Sequence, residues 1–397
     1  GKTRSRSNAR HRMKTLVSNI GSLTRSGSHQ GEVWAEKDSA FVFEDGVISW
    51  VGPSREAPAT ENQIDAQGMA CIPGFVDSHA HLVFAGSRET DFAGRMSGAD
   101  YQPAGIHSTV AATREATDDE LRSNVQKLVS ELQRSGITEF EIKSGYGLDV
   151  ENELRSIEIA AEFTSQVTFL GAHVTPKASS AEEYLQSVIE EMIPRASAAK
   201  WIDVFCDQGA FNLEQSKKVL LAGIKHGLKP RLHGNQIANI GAVELACELD
   251  AASIDHCTYL DDSDIKALAS SNTVATLLPG VEFSTNSPYP DASKLIEAGV
   301  TVALATDCNP GTSFTSSMPF CIALAVREMN FTVEQALWAA TRGGAVALRE
   351  ETLGAIEVGK RADFVFLDAP NYIHLAYRPG VDLISKTYRA GELIYER

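Results

Sequence analysis

The 397-residue chain is short of the patterns that mark membrane, secreted and nucleic-acid-binding proteins. No apolar run reaches the roughly 18 residues that a membrane-spanning helix needs. The net charge of −16 argues against a nucleic acid or an anionic membrane as a partner. The six cysteines form no Cys-x-x-Cys pair and no signal-peptide pattern is seen, which predicts a reducing, cytoplasmic location. The composition, 43% apolar and 22% charged, is that of a soluble globular protein.

A chain of this length is expected to fold as one large domain with a smaller one. Residues 1–12 are basic and polar, which predicts a disordered tail or a remnant of cloning. Residues 41–72 and 354–397 contain alternating runs and turn signals such as Asp45-Gly46, which predict β-hairpins. We expect residues 13–72 and 355–397 to form a composite small β-sandwich domain, and residues 73–354 to form the catalytic barrel.

Eight short apolar or β-branched runs alternate with helical stretches through the middle of the chain. After a longer first gap, the ends of these runs recur every 22 to 33 residues, about the length of one strand and one helix. Eight such units predict an α/β fold, a (β/α)₈ TIM-type barrel. A doubly wound open sheet is the alternative, but no Gly-x-Gly-x-x-Gly turn follows an early strand. The runs are residues 75–81, 138–143, 167–173, 202–206, 229–233, 252–256, 274–278 and 302–307.

Helix start signals lie between these runs. Thr117-x-x-Glu120, Ser180-x-x-Glu183 and Thr332-x-x-Gln335 fit the capping-box pattern, and Gly136 lies where the first of these helices should end.

The first run leads into a pair of histidines, His79 and His81, after a Pro73-Gly74 turn. Side chains two residues apart on a strand point the same way, so both imidazoles can converge on one point beyond the strand. Two converging imidazoles suit a transition metal such as zinc or iron. The alternative is a pair of exposed turn histidines. The apolar strand and the preceding turn favour the metal site.

Five of the ten histidines, together with one aspartate, lie at the ends of predicted strands, where barrel enzymes carry their catalytic residues. Four of these side chains, His79, His81, His233 and Asp307, could hold one metal ion with a position left for water. Such an ion lowers the pKa of its water to near neutrality. Asp307 could then carry a proton to a leaving nitrogen, and His256 could polarise the attacked carbonyl. The alternatives are a helix N-cap for Asp307 and a packed core histidine for His256.

Five longer stretches are more specific than any single pair of residues. They run from Pro73 to Tyr101, from Lys143 to Leu148, from Thr168 to His173, from Leu278 to Gly280, and from Ala305 to Thr312. Together they resemble the amidohydrolase superfamily and, within it, the imidazolonepropionase family, over the chain from about Met13 onward. The resemblance implies hydrolysis of the cyclic amide of 4-imidazolone-5-propanoate to N-formimidoyl-L-glutamate in histidine catabolism. It also implies one Zn²⁺ or Fe³⁺ ion and a homodimer.

Residue by residue, the resemblance implies a binding site for a small-molecule substrate around the metal. Arg88 would bind the propionate carboxylate, for which a guanidinium is well shaped. The alternative is a surface ion pair of Arg88 with Glu89 or Asp91. The remaining contacts implied are Tyr146, His173 and Gln236 for the substrate, and Asn309, Gly311 and Thr312 for the carboxylate end of the product. Gly145 and Gly147 beside Tyr146 could instead be plain turn residues.

Two positions bear on the chemistry. Many members of the family have a glutamate where this chain has Gln236, and an amide cannot accept a proton as a base. Lys143 follows the second strand, whereas the carbamylated lysine of two-metal members lies on the fourth, so we expect one metal and a loop or substrate-contacting role for Lys143. The alternative functions are another cyclic amidase or a heterocycle deaminase of the same superfamily and, more remotely, a metal-free scaffold.

Overall fold

Strands and helices alternate through most of the chain, as the sequence predicts. The computed structural model describes residues 13–397, so the tail predicted at residues 1–12 lies outside the described residues. The strands are β1 (Lys14–Ser18), β2 (Ser22–Ser26), β3 (Val33–Glu36), β4 (Ser39–Glu44), β5 (Val47–Pro53), β6 (Asn62–Asp65), β7 (Ala70–Pro73), β8 (Phe75–Asp77), β9 (Ile137–Lys143), β10 (Gln166–Ala172), β11 (Trp201–Cys206), β12 (Lys229–Pro230), β13 (Leu232–Gly234), β14 (Ser253–His256), β15 (Val274–Leu277), β16 (Val302–Leu304), β17 (Phe364–Leu367), β18 (Ile384–Arg389) and β19 (Glu392–Glu396). The helices are α1 (Glu89–Met96), α2 (Ile106–Glu115), α3 (Asp118–Arg134), α4 (Val150–Ala161), α5 (Ala181–Ser187), α6 (Leu213–Lys225), α7 (Ala242–Glu248), α8 (Asp262–Ala269), α9 (Pro279–Thr285), α10 (Ala292–Glu297), α11 (Met318–Glu328), α12 (Val333–Trp338), α13 (Gly344–Ala347) and α14 (His374–Tyr377).

Eight parallel strands form a barrel in chain order. Their order is β8, β9, β10, β11, β13, β14, β15 and β16, and the short β12 pairs with β11 just before β13. The first and last strands meet just beyond their ends, where Ala80 bridges Cys308 and the amide of Asp307 donates to the carbonyl of His79 at 2.9 Å. The predicted (β/α)₈ barrel is confirmed, because an open doubly wound sheet would reverse its strand order at a switch point.

The helix start signals behave as capping groups. Thr117 and Glu120 bond reciprocally before α3, and Thr332 and Gln335 do the same before α12, which are the predicted capping boxes. Ser180 accepts the amide of Glu183 at the start of α5. These caps satisfy helix amides that would otherwise lack partners.

Two sheets from the chain ends pack into a sandwich beside the barrel. One has the order β5-β4-β1-β6, and the other the order β19-β18-β17-β7-β2-β3, so strands from both ends share the second sheet. Phe41 and Phe364 meet edge to face between the sheets, with ring centroids 5.0 Å apart, and Phe364 stacks on Tyr388 at 4.5 Å. The predicted small β-sandwich is confirmed.

Strand β17 lies between the sandwich and the barrel and packs against both. Phe364 and Phe366 pack into the sandwich core, whereas Val365 and Leu367 pack into the barrel core. Successive side chains of a strand point to opposite faces, so this strand contributes to both cores. Its partner β7 leads directly into β8 and the two histidines, which ties the position of the site to the sandwich. Over residues 13–397 no helix is both long and apolar enough to cross a membrane.

Candidate active site

A pocket lies at the carboxyl ends of the barrel strands, and the predicted site residues meet there. His79 is wholly buried beneath it. The side chains and backbone that line the pocket are His81, Arg88, Tyr101, Ile106, Tyr146, His173, Phe205, His233, Gln236, His256, Asp307, Asn309, Gly311 and Thr312.

Three imidazoles and one carboxylate converge at the floor of the pocket. The Nε2 atoms of His79 and His81 are 3.1 Å apart, and Asp307 Oδ1 lies 3.2 Å from each of them. The ring of His233 has its centroid 4.6 Å from that of His79. The second Asp307 oxygen, Oδ2, lies 3.7 Å from Nε2 of His256. Two overlapping trios of ligand atoms thus lie within 4.8 Å of one another, His79–His81–His233 and His79–His256–Asp307.

Buried carboxylates hold two of the imidazoles from behind. Asp255 Oδ2 accepts a hydrogen bond of 2.6 Å from His79 Nδ1, and Asp203 Oδ1 accepts one of 3.1 Å from His233 Nδ1. Each bond selects the tautomer in which Nε2 carries a lone pair. His81 Nδ1, by contrast, is buried with no hydrogen-bond partner among the described residues. Nitrogen and oxygen donors held in this way fit a transition metal ion such as zinc or iron.

The backbone is strained where two of these side chains leave their strands. His256, the last residue of β14, has φ of +91°, the following Cys257 has +52°, and Asp307 has +47°. Positive φ is unfavourable for a side chain such as histidine, and such strain clusters at functional sites. The sharp turns bring His256 and Asp307 to the same side of the pocket.

Arg88 is buried in the pocket wall and paired. Its Nε donates to Asp91, its Nη1 lies 3.5 Å from the hydroxyl of Thr109, and its side chain is 5% exposed. The predicted alternative of a surface ion pair is therefore correct about the partner Asp91 and wrong about the surface. Because Asp91 engages Nε, the Nη edge remains for a carboxylate in the pocket. A Cβ at Gly311 would lie 2.9 Å from Nη1, so the absence of a side chain there leaves room for the guanidinium.

The loop after β9 carries Tyr146 and is held by a buried glutamate on α4. Glu153 accepts hydrogen bonds from the amides of Gly145 and Gly147, at 3.1 and 2.9 Å. His173 Nδ1 donates to the carbonyl of Gly145 at 2.9 Å. Burial, aided by the neighbouring histidine at position 81, lowers the pKa of His173 to about 3, which keeps the ring neutral. Gly145 has φ of +122°, and a Cβ there would lie 2.7 Å from His173 Nδ1, so it is more than a turn residue.

Glu153 predicts a pH-dependent contribution to stability. Burial raises its pKa from 4.5 to about 7, against the opposing effect of the two loop amides. The folded state therefore binds this proton more tightly than the unfolded state, and stability falls as pH rises from 4.5 to about 7. Relative to Glu153→Gln, the wild-type free energy of unfolding should fall by on the order of 3 kcal/mol across this window. Urea unfolding of both proteins from pH 5 to pH 8 measures the difference.

Glu158→Gln, at an exposed position of the same helix, is the matched control and should follow the wild-type pH dependence. If the difference between wild type and Glu153→Gln stayed constant with pH, the carboxylate would not titrate in this window and the prediction would be wrong.

Asn309 organises the loop that follows Asp307. Its Oδ1 accepts the amides of Gly311 and Thr312, both at 2.9 Å, and its Nδ2 donates to the carbonyl of Asp307 at 2.6 Å and to the hydroxyl of Thr312 at 3.0 Å. The amide of Asn309 is thus fully engaged within the loop. Asn309 therefore shapes this part of the pocket wall, which Gly311 and Thr312 also line.

Gln236 lies half-buried on a loop held by Asp207. Asp207 accepts the amides of Gln236, Ile237 and Ala238, at 2.7, 3.0 and 3.2 Å. Three consecutive amides around one carboxylate form a rigid anion-binding turn. The side chain of Gln236 is therefore presented to the pocket from a fixed backbone.

The prediction that Lys143 lies in a loop or contacts the substrate is wrong. Lys143 is the last residue of β9 and is wholly buried, with Nζ 2.8 Å from Glu141 Oε1 and 2.7 Å from Asp203 Oδ2. Burial alone would lower the pKa of Lys143, but the two carboxylates outweigh it and raise the pKa. The ammonium is committed to these ion pairs beneath the pocket. The sequence does not indicate that Lys143 pairs with Asp203, which lies 60 residues along the chain on β11.

Sequence reasoning missed several residues of the site. Tyr101, Ile106 and Phe205 line the pocket without having been predicted; Tyr101 lies between α1 and α2, and Ile106 is the first residue of α2. The partners Asp203 and Asp255 were also missed, although a signal existed. Each is a carboxylate inside an apolar strand, and buried carboxylates of this kind need a partner.

The amidohydrolase family profile matches residues 70–393 of the chain. The imidazolonepropionase of Mycolicibacterium smegmatis is 56% identical over 386 residues, which cover 96% of this chain and 98% of that protein. The imidazolonepropionase of Nocardia farcinica is 55% identical, with 96% and 98% covered. Among solved structures, guanine deaminase from C. acetobutylicum superposes with a TM-score of 0.73 at 17% identity, over 96% of this chain and 100% of that one. Zinc-bound adenosine deaminase from Xanthomonas campestris superposes with 0.70 at 20% identity, over 96% and 92%. These two likenesses show the fold alone.

Proposed function

This chain belongs to the amidohydrolase family and, within it, to the imidazolonepropionases, and from this premise we propose that it hydrolyses 4-imidazolone-5-propanoate. It is a hydrolase that acts on a C–N bond. The reaction opens the cyclic amide and yields N-formimidoyl-L-glutamate, a step in histidine catabolism. The observation that carries the proposal is that His79, His81 and Asp307 converge at the floor of a pocket that Arg88 also lines.

The metal site would consist of His79, His81, His233 and Asp307, with one Zn²⁺ or Fe³⁺ ion. When bound, such an ion supplies Lewis-acid activation of water. The support for this set is the donor geometry, in which Asp307 Oδ1 lies 3.2 Å from two imidazole nitrogens, and the carboxylates behind His79 and His233. His₃Asp coordination serves both metals.

Asp307 and His256 would handle the proton and the developing charge. Asp307 takes a proton from the attacking water as the water oxygen bonds to the ring carbonyl carbon. The C–N bond then breaks, and Asp307 returns the proton to the departing nitrogen. His256, whose Nε2 lies 3.7 Å from Asp307 Oδ2, donates a hydrogen bond to the carbonyl oxygen and stabilises its negative charge.

The other pocket residues would bind and orient the substrate. Arg88 binds the propionate carboxylate through its Nη edge. Tyr146 contacts the ring from the loop that Glu153 holds, and His173 contacts it from the end of β10. Asn309, through the loop it shapes, lets Gly311 and Thr312 meet the carboxylate end. Gln236 can orient the ring by hydrogen bonding but cannot act as a base, so proton transfer falls to Asp307.

Three further expectations belong to this proposal. The resemblance implies a homodimer, which mass measurement in solution would check. We also propose that the protein works in the cytoplasm, where unpaired cysteines stay reduced, and that it has no nucleic-acid partner, since the net charge is −16. The alternatives are another cyclic amidase or a heterocycle deaminase. A deaminase of neutral bases has less use for Arg88, since a neutral base lacks the carboxylate that a guanidinium binds.

A coupled assay tests the reaction and its metal dependence. Urocanase converts urocanate to 4-imidazolone-5-propanoate, and this protein should then remove the imidazolone absorbance, with N-formimidoyl-L-glutamate identified by mass spectrometry. Removal of metal by a chelator should stop the conversion, and Zn²⁺ or iron should restore it. Full conversion by the metal-free protein would contradict the metal site. No conversion by folded, metal-loaded protein would point to another cyclic amide or to a deaminase substrate.

A further inference from the structure

A chain of buried charged side chains lies inside the barrel directly beneath the histidines. Its members are Glu141 and Lys143 on β9, Asp203 on β11, Arg231 between β12 and β13, and Asp255 on β14, and each has 0% exposure. They comprise three carboxylates and two cations, so one negative charge is left over. Ionised groups are almost never buried to this extent unless they are paired, and each member here lies near a group of opposite charge.

The contacts form one continuous chain. Lys143 Nζ lies 2.7 Å from Asp203 and 2.8 Å from Glu141, and Glu141 Oε2 lies 2.9 Å from Arg231 Nη1. Arg231 Nη2 lies 3.7 Å from Asp255 and donates to the carbonyl of Ser78 at 2.9 Å. The two ends of the chain, Asp203 and Asp255, are the carboxylates that accept Nδ1–H of His233 and of His79.

We propose that Glu141, Lys143 and Arg231 are positioning residues that fix the two carboxylates and thereby set the orientation of His79 and His233 together. The inference rests on the metal-dependent function proposed above. Glu141 is the centre of the chain because it shares its charge between both cations. Without that charge, Lys143 and Arg231 draw more strongly on Asp203 and Asp255, and each carboxylate then holds its imidazole less firmly. Groups behind metal-ligating histidines affect metal affinity through such contacts.

The test is Zn²⁺ affinity, measured by chelator competition on metal-free protein. Glu141→Gln should weaken Zn²⁺ binding about 10- to 100-fold, as is usual for groups behind metal ligands. Glu139→Gln is the matched control on the same strand: it is buried as well, but pairs with Arg361 and Arg389 away from the histidines, and should bind Zn²⁺ like the wild type. The Co²⁺ absorption spectrum, which reports ligand geometry, should change in Glu141→Gln alone.

These readouts do not need the substrate, so a wrong substrate would leave the inference standing. In the coupled assay, Glu141→Gln should lower kcat and leave KM unchanged, because the substrate contacts are separate from the chain. If Glu141→Gln does not fold, Thr168→Val is the second variant. It removes only the 2.5 Å hydrogen bond that the Thr168 hydroxyl donates to Glu141, and it should also weaken Zn²⁺ binding. Wild-type affinity and an unchanged Co²⁺ spectrum in the folded variants would overturn the inference.

Discussion

Replacement of Asp307 by asparagine should lower kcat by about 1,000-fold or more, within the range that a lost proton-transfer group and metal ligand produce. Asparagine has the shape of aspartate, but it can neither accept the proton of the attacking water nor neutralise a bound cation. The measurement is steady-state hydrolysis of 4-imidazolone-5-propanoate by the zinc-loaded variant, together with its metal content. Loss of rate with metal retained would assign the loss to proton transfer. Loss of both would assign it to coordination.

The matched control for Asp307→Asn is Asp291→Asn. Asp291 caps α10 outside the pocket, so its variant should keep wild-type kcat. If Asp307→Asn with a full complement of metal stayed within about tenfold of the wild type, a general acid–base role would be excluded for Asp307.

Removal of the guanidinium in Arg88→Met should lower kcat/KM by about 100-fold or more, because a charge-assisted pair of hydrogen bonds to the propionate is lost. The loss should appear chiefly in KM, since Arg88 binds the part of the substrate that does not react. Arg88→Lys should recover only part of it. An ammonium cannot bond to Asp91 and to both carboxylate oxygens in the fork geometry of a guanidinium.

An analogue that keeps the imidazolone ring but lacks the propionate carboxylate separates recognition from misfolding. Wild type and Arg88→Met should hydrolyse this analogue at similar, low rates. Arg122→Met, at a half-exposed arginine of α3 that pairs with Glu162, should behave as wild type with both substrates. An equal loss on both substrates in Arg88→Met would show that Arg88 shapes the pocket and does not recognise the carboxylate.

The barrel and the positions of the metal-binding candidates could be inferred from local sequence. A two-residue spacing puts His79 and His81 on one side of the chain, and strand ends mark His233, His256 and Asp307, since barrel strands end at one face. The capping signal at Thr117 needs no partner beyond three residues. Each of these inferences depends on geometry within one strand or one helix.

The remaining features depend on pairs far apart in sequence, which no local pattern contains. Lys143 has its carboxylate partner on β11, and only the register of the intervening strands brings them together. Arg88 has one contact of each kind. Its ion pair with Asp91 is a local contact that the sequence suggested. Its buried guanidinium also lies against Gly311, more than 200 residues away.

Strand β7, which runs into the histidine pair, has β17 as its antiparallel neighbour, with Ile72 opposite Val365. Residues that contact across nearly 300 positions of the chain come together late, because the entropy of closing so long a loop opposes their pairing. During synthesis, β7 and the segment with His79 and His81 therefore remain without this neighbour until the C-terminal part of the chain has left the ribosome. The affinity for the metal should accordingly appear only at the end of folding. In a nascent chain from which β17 has not yet emerged, β7 would lack its antiparallel partner, and the histidines that follow β8 would not yet be fixed in position.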